Sequence, residues 1–407
     1  MHRITETDPD IIYAEWKKDL KKTYYLNSNF DLELGNIPLE RYEKFADEMT
    51  CLFLSAVDAR DSVVVNITPH KFYYEYLKQI GIEYASIAGD SDIEREGLAW
   101  GMNSKSLNIL ESYNCICDFP DETIVKKINS RKYSNDICRK LNYPHGKCAD
   151  NYEELLDIAA KSSFPFVAKT EFGSSASGFI HVKKSEDIKK LNKGLNYFNF
   201  GISFIIEPWR ERVEDYSAGF FLSKNGEMTD FNVRKLFSTD RGQFDALITG
   251  LEIDEKLFNE MHDAAIKISE SLVSEGYFGH VSFDAYTFRD GEGISMNPVS
   301  EINARMTMAD IARFMAEKTS SRISSIKFVK GKHLERFKCE SDIISCFGDE
   351  AYSAERGKGI ILMSPLYYEK NGLKHLTERA LFCALSDTEK EAQIFLNKIS
   401  SLEWHRC

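Results

Sequence analysis

No stretch of the 407-residue sequence approaches the roughly 20 consecutive apolar residues that a membrane-spanning helix needs. The opening residues, Met1-His2-Arg3-Ile4-Thr5-Glu6, lack the apolar centre of a secretion signal. The expectation is a soluble, cytoplasmic chain with no membrane partner. Nine cysteines are present, but Cys115-x-Cys117 and the pair Cys339 and Cys346 lack the CxxC spacing of a zinc site, and no histidine cluster completes one. Reduced thiols are expected. Net positive charge is absent too: the formal balance is −12, which disfavours nucleic acid as a partner. There is no internal repeat and no low-complexity segment. There is no Walker A loop, no GxGxxG fingerprint and no Gly-x-Ser-x-Gly elbow, so neither a P-loop nor a serine nucleophile in that setting is indicated.

What is present is length and a large apolar fraction, 43% of residues, enough for two or three packed domains. Helical stretches are expected at 13–25 and 39–49. Apolar, β-branched runs at 51–57 and 62–67 read as strands. A helix over 70–80 stops at Gly81, and 82–87 reads as the next strand. A helix at 103–112 and a strand at 115–119 follow. This alternation predicts a parallel sheet with helices on its faces. From 121 to 141 the pattern is helical. Strands are expected at 164–170 and 179–182, a helix at 185–195, then strands at 203–207, 216–222 and 228–236. Asn225-Gly226 turns the last two into a hairpin. A long amphipathic helix spans 254–275. Two strands, 279–287 and 293–302, pair around residues 289–293. The tail carries strands at 359–365 and 379–385 and a helix at 388–400.

Three features could carry chemistry. Asp284 lies on the first of the late strands, and Glu301 and Asn303 end the second. Residues i and i+2 of a strand share a face, so the pair of strands can present Asp284, Glu301 and Asn303 together. Such oxygen ligands suit Mg²⁺ completed by phosphates. Arg305 continues the alternation, placed for a phosphoryl group or carboxylate in transfer. An ordinary polar hairpin face fits the same pattern. The loop Gly173-Ser174-Ser175-Ala176-Ser177-Gly178, preceded by Lys169, is rich in donors that could close over phosphates; a Ser/Gly loop without a ligand fits it as well. Lys169 alternates with Val167 and so projects away from the core. The third feature is Glu207-Pro208-Trp209, where proline interrupts a strand as a hinge between lobes would, followed by an acidic residue, Asp215, that could hold ribose hydroxyls; on its own residues the segment reads as a loop between strands with no function assigned. Phe72-Tyr73-Tyr74 and His280 read as packed side chains, with a pocket wall and a base as the other readings.

Taken in order, these pieces resemble the ATP-grasp superfamily over residues 125–315. The resemblance implies an α/β fold of the α+β ATP-grasp kind: an N-terminal Rossmann-like domain (1–120), a linker helix and mobile lid (121–209), an antiparallel-sheet catalytic subdomain (210–320) and a C-terminal extension (321–407). It implies ATP and Mg²⁺, replaceable by Mn²⁺, as cofactors. It assigns Arg131 and Lys169 to the nucleotide phosphates, the loop with Gly173, Ser174, Ser175 and Gly178 to the lid, and Glu207 and Trp209 to the adenine hinge. Asp215 takes the ribose position, with Glu214 as its rival. Asp284, Glu301 and Asn303 become metal ligands, Arg305 the holder of the activated carboxylate, and Arg234 and Lys235 contacts to the γ-phosphate. The implied activity is ADP-forming ligation of small-molecule carboxylate and amine substrates, with a homodimer left open. A nucleotide-binding scaffold or sensor, and a phosphotransferase or carboxylase, are the other readings the family allows.

Overall fold

In the computed structural model, which describes residues 20–89, 93–173, 178–239 and 242–403, the chain begins with a five-stranded parallel sheet. Its strands are β1 (Lys22–Tyr25), β2 (Ser62–Val64), β3 (Ser86–Ile87), β4 (Arg95–Ala99) and β5 (Cys115–Ile116), in the order β3-β2-β1-β4-β5. The chain fills one side of β1 and then the other, so construction reverses between β1 and β4. Ligands of open parallel sheets gather beyond the strand ends at such a crevice. A short helix, α1 (Phe30–Leu34), follows β1 there.

Two expectations are overturned in this unit. Where a helix was expected over 13–25, residues 22–25 form β1, and 13–19 lie outside the described residues. Thr23, Tyr24 and Tyr25 are all buried, as a strand covered on both faces requires, so no alternation marks it as a strand. The reverse exchange occurs at 51–57, where Leu52–Ala56 is a helix. All five of its residues are buried, and a wholly apolar run carries no period to separate helix from strand.

The helical stretch over 121–141 divides into Glu122–Ile128 and α2 (Arg131–Lys140). Asp121 accepts from the backbone N–H of Thr123, and Ser130 from those of Lys132 and Tyr133, so each starts a new first turn. A small antiparallel sheet follows: β6 (Lys147–Ala149), β7 (Phe166–Thr170), β8 (Phe179–Val182) and β9 (Phe204–Pro208), ordered β6-β9-β7-β8. A helix at Tyr152–Ala160, not anticipated, covers it together with Ser185–Gly194, which is 3-10 rather than α-helical. Phe166, Ala168, Ile180, Phe204 and Ile206 give this unit a core of its own.

The largest sheet has eight strands: β10 (Arg212–Leu222), β11 (Met228–Ser238), β12 (Phe244–Thr249), β13 (Gly279–Asp290), β14 (Gly293–Asn303), β15 (Ile323–Lys330), β16 (Gly359–Leu362) and β17 (Arg379–Ser386). They are antiparallel, in the order β14-β13-β10-β11-β12-β15-β17-β16. The β10–β11 turn uses Gly226 at φ +84°, a conformation glycine takes without steric cost. Helices α3 (Glu255–Ser274) and α4 (Met308–Thr319) pack on this sheet. One continuous core joins it to the parallel sheet, running from Tyr24 to Leu402. The architecture is thus mixed α/β, with parallel, small antiparallel and large antiparallel sheets. Among the described residues no helix is long and apolar enough to cross a membrane, and the described cysteines are free.

Candidate active site

Directly opposed residues of antiparallel strands project from the same face. Ser217 stands opposite Arg234 on one side and Asp284 on the other, and Asp284 stands opposite Glu301. One row therefore crosses β11, β10, β13 and β14: Arg234, Ser217, Asp284, Glu301. The next row on that face is Asn232, Gly219, Ser282 and Asn303, and on the other side lie Asp215, Tyr286 and Asn297. The register shifts between Asp284 and Tyr286, which keeps both partners of β14 on this face despite the extra residues.

The neighbours of two of these residues face away. Lys235 is opposite Tyr216 and Ile248 on the reverse side of the sheet. There its Nζ lies 2.6 Å from Glu214. The structure brings Arg234 and Asp215 to the row of carboxylates and does not bring Lys235 or Glu214.

Two cations reach the same face from outside the sheet. Arg131, in the first turn of α2, places Nε 3.0 Å from Glu301 Oε1. Its Nη1 donates to Thr170 O at 2.8 Å and its Nη2 to Gly173 O at 2.9 Å, so it joins the end of β7 to the row of carboxylates. Lys169 points away from the lid core, yet it is buried. Its Nζ donates to Glu207 at 2.6 Å and lies 5.5 Å from the Phe179 ring. Gly178 has φ +82°, and a Cβ there would lie 2.2 Å from Thr170 Oγ1, so only glycine closes the loop against β7. Ser174 and Ser175 lie outside the described residues. Trp209 donates its backbone N–H to Pro165 O at 2.9 Å, and the Arg212 guanidinium lies 5.6 Å from its ring.

The two opposed carboxylates are shifted in opposite directions. Burial, then the negative charges of Glu301 and Asp215, push Asp284 up to about 7. Burial also raises Glu301, but Arg131, with Lys169 and Arg305 behind it, more than offsets this and holds Glu301 below the usual glutamate range. Asp215 is paired with Arg212 at 2.8 Å. Among the described residues Asp284 has no ion-pair partner. No set of three acid, histidine or cysteine side chains forms an all-protein metal cage among the described residues. Two carboxylates and an amide are what Mg²⁺ takes when phosphate oxygens complete its shell.

Arg234 is buried, its guanidinium lying over Gly219. A Cβ on Gly219 would fall 2.1 Å from Nη2. Nε donates to Asn232 Oδ1 at 2.6 Å, while Nη1 has no partner among the described residues. Arg305 is held by a residue the sequence did not single out: Asp31 of α1 accepts from its Nε at 3.0 Å and its Nη2 at 2.7 Å. Nη2 also donates to Asn303 Oδ1 at 2.8 Å. Asp31, Arg212 and Asn297 all escaped the sequence reading. Arg212 carries a weak local signal, three residues before Asp215; Asp31 carries none.

A crevice of 20 Å³ lies where the hinge meets the large sheet, between Glu207, Pro208, Tyr286 and Asn297. Asn297 is buried, and its Oδ1 has no partner among the described residues.

No protein-family model and no curated protein sequence matches the chain. Solved structures do. A phosphoribosylamine–glycine ligase from Thermotoga maritima aligns over 93% of this chain and 96% of its own, with a TM-score of 0.56 and 12% identity. A biotin carboxylase from Campylobacter jejuni covers 93% and 91%, at 0.54 and 12%. An N5-carboxyaminoimidazole ribonucleotide synthetase, solved as its ADP complex, covers 94% and 96%, at 0.53 and 16%. The architecture they share is the ATP-grasp fold, and this chain has it.

Proposed function

We propose, from that fold and the site built on it, that the chain is an ADP-forming ligase joining a carboxylate to an amine. The γ-phosphoryl group of ATP passes to the carboxylate oxygen, giving an acyl phosphate and ADP. The amine nitrogen then attacks the acyl carbon and inorganic phosphate leaves. The observation that carries the reading is the row Arg234–Asp284–Glu301, flanked by Arg131, Lys169 and Arg305. It supplies anionic oxygens for a divalent cation and positive charge for phosphates on one face.

The residues present fit the groups the reaction needs. Asp284, raised by burial and then by the negative charges of Glu301 and Asp215, would be relieved by a divalent cation. Mg²⁺ held by Asp284, Glu301 and Asn303 would neutralise charge on the phosphates. Lys169 and Arg131 are cations already paired with carboxylates, and phosphate oxygens suit the same donors. Asn297 Oδ1 is a buried acceptor beside the hinge, and the exocyclic amine of adenine is a donor. Asp215, in the same row as Tyr286 and Asn297 and next to the row of carboxylates, would meet the ribose hydroxyls. Phosphoryl transfer asks mainly for positioning and charge stabilisation, and a closed lid keeps water from the acyl phosphate. The carboxylate belongs to an amino acid, a short peptide or another small metabolite.

Calorimetry with Mg·ATP tests the reading, and absence of binding at millimolar nucleotide would defeat it. Glu301→Ala is expected to cut ADP formation by about 100-fold or more, since it removes a metal ligand. Full ADP production by that variant would reject the metal assignment. Pairwise screening of amino acids and small carboxylates for ADP release, with mass spectrometry of the products, identifies the substrates.

A further inference from the structure

We infer that Asp31 is a positioning residue for the ligase chemistry, fixing Arg305 so that it acts as an immobile charge beside the metal ligands rather than as a fork for a substrate carboxylate. This assignment rests on the ligase reading above and deepens it.

A guanidinium has five N–H donors. Nε and one Nη2 hydrogen of Arg305 go to the two oxygens of Asp31, at 3.0 and 2.7 Å. The second Nη2 hydrogen goes to Asn303 Oδ1 at 2.8 Å, and one Nη1 hydrogen to Met306 O at 3.1 Å. One donor, on Nη1, is left. The bidentate edge that a substrate carboxylate would use is already filled by a carboxylate from the protein. Both partners are largely buried, with side chains 13% and 11% exposed. A substrate that displaced Asp31 would leave an unpaired buried anion, which is unfavourable.

The surroundings hold the pair in place. Trp100, directly after β4, accepts from the Met306 N–H at 2.9 Å and lies 5.9 Å from the Arg305 guanidinium. Asn27, in the turn between β1 and α1, is tied to Gly101 by reciprocal hydrogen bonds of 2.8 and 3.1 Å. Asp31, in the helix that follows β1, and Trp100, directly after β4, thus lie beyond the ends of the two strands flanking the reversal of the parallel sheet. They grip the segment that carries Asn303. Through Arg305, the carboxylate of Asp31 sets the orientation of a metal-ligating amide, which is the geometry by which outer partners tune a metal site.

Mn²⁺ with ADP, added to the full chain and followed by electron paramagnetic resonance and calorimetry, is the test. Asp31→Asn keeps the shape and removes the charge. Expected are a loss of about 10-fold or more in Mn²⁺ affinity in the presence of ADP and an altered Mn²⁺ spectrum, with metal-free ADP binding unchanged. In an Arg305→Ala background, Asp31→Asn should add nothing, because the group it orients is gone. Additive losses, or an Asp31→Asn protein with the wild-type spectrum and affinity, would overturn the assignment. If Asp31→Asn does not fold, Arg305→Lys replaces it: that variant keeps the charge but loses the fork. It should weaken Mn²⁺ to a similar degree, and unchanged affinity overturns the assignment. A wild-type chain that takes up no Mn²⁺ with ADP would sink the ligase reading, and this assignment with it.

Discussion

Asp284 and Glu301 stand opposite each other on neighbouring strands, yet Arg131 reaches only Glu301. Asp284 is raised to about 7, above the ordinary aspartate value of about 3.9. The folded chain therefore keeps a proton there that the unfolded chain releases, and this group's contribution to stability falls as pH rises from about 4 to 7. Glu301 runs the other way. Held low, it contributes stability above the ordinary glutamate range, and that is lost as pH falls through its lowered value. Asp284→Asn should accordingly raise the Tm of metal-free protein at pH 8 by about 1–3 °C while removing divalent-cation binding. Scanning fluorimetry with and without Mn²⁺ checks both. A lower Tm at pH 8 would mean that Asp284 is stabilising without metal. At this scale period-two alternation made Glu301, Asn303 and Arg305 legible. It could not decide between Arg234 and Lys235, or Glu214 and Asp215, because adjacent residues take opposite faces and the choice depends on register. The shift between Arg212 and Glu214 leaves no mark in composition.

Among the elements, the small antiparallel sheet is set apart by its own core, separate from the one shared by the two larger sheets. Its base is anchored: Phe172, just past β7, is buried against Gly35, where a Cβ would come within 2.8 Å of the Phe172 Cβ. The strands beyond that anchor can move without opening the main core. Their exposed lysines, Lys183, Lys184, Lys189 and Lys190, offer trypsin sites. Cleavage there should be slower with Mg·ATP than without it; equal rates with saturating nucleotide would argue against a closing lid. On the ligase reading, the crevice of 20 Å³ between Glu207 and Asn297 would have to widen to admit an adenine ring. The late strands and long helices were legible because each carries a clear period and a turn residue. The segment 51–57 was not, since burial on all sides removes the alternation, and β1 was hidden for the same reason.

For the whole molecule, one core across two sheets implies that nucleotide binding stabilises both together. Mg·ATP should raise the Tm in a concentration-dependent way, as mass action on the folded state demands, by roughly 2.7 kcal/mol of stability at 100 times Kd. ATP with EDTA should do much less. Equal shifts with and without the metal would remove Mg²⁺ from the binding site. The order β14-β13-β10-β11-β12-β15-β17-β16 was only partly visible in the sequence: hairpins announce themselves, whereas the pairing of β10 with β13 joins strands separated by a hairpin partner, a further strand and a long helix.

The contact between Asp31 and Arg305 joins residues 274 positions apart. On the ribosome, Asp31 emerges with the strands of the parallel sheet. At about 5–20 residues per second, its arginine follows roughly 14–55 s later. For that interval the nascent chain carries a buried-type carboxylate with no cation to meet it, and the two halves of the site become one only when β14 has been made.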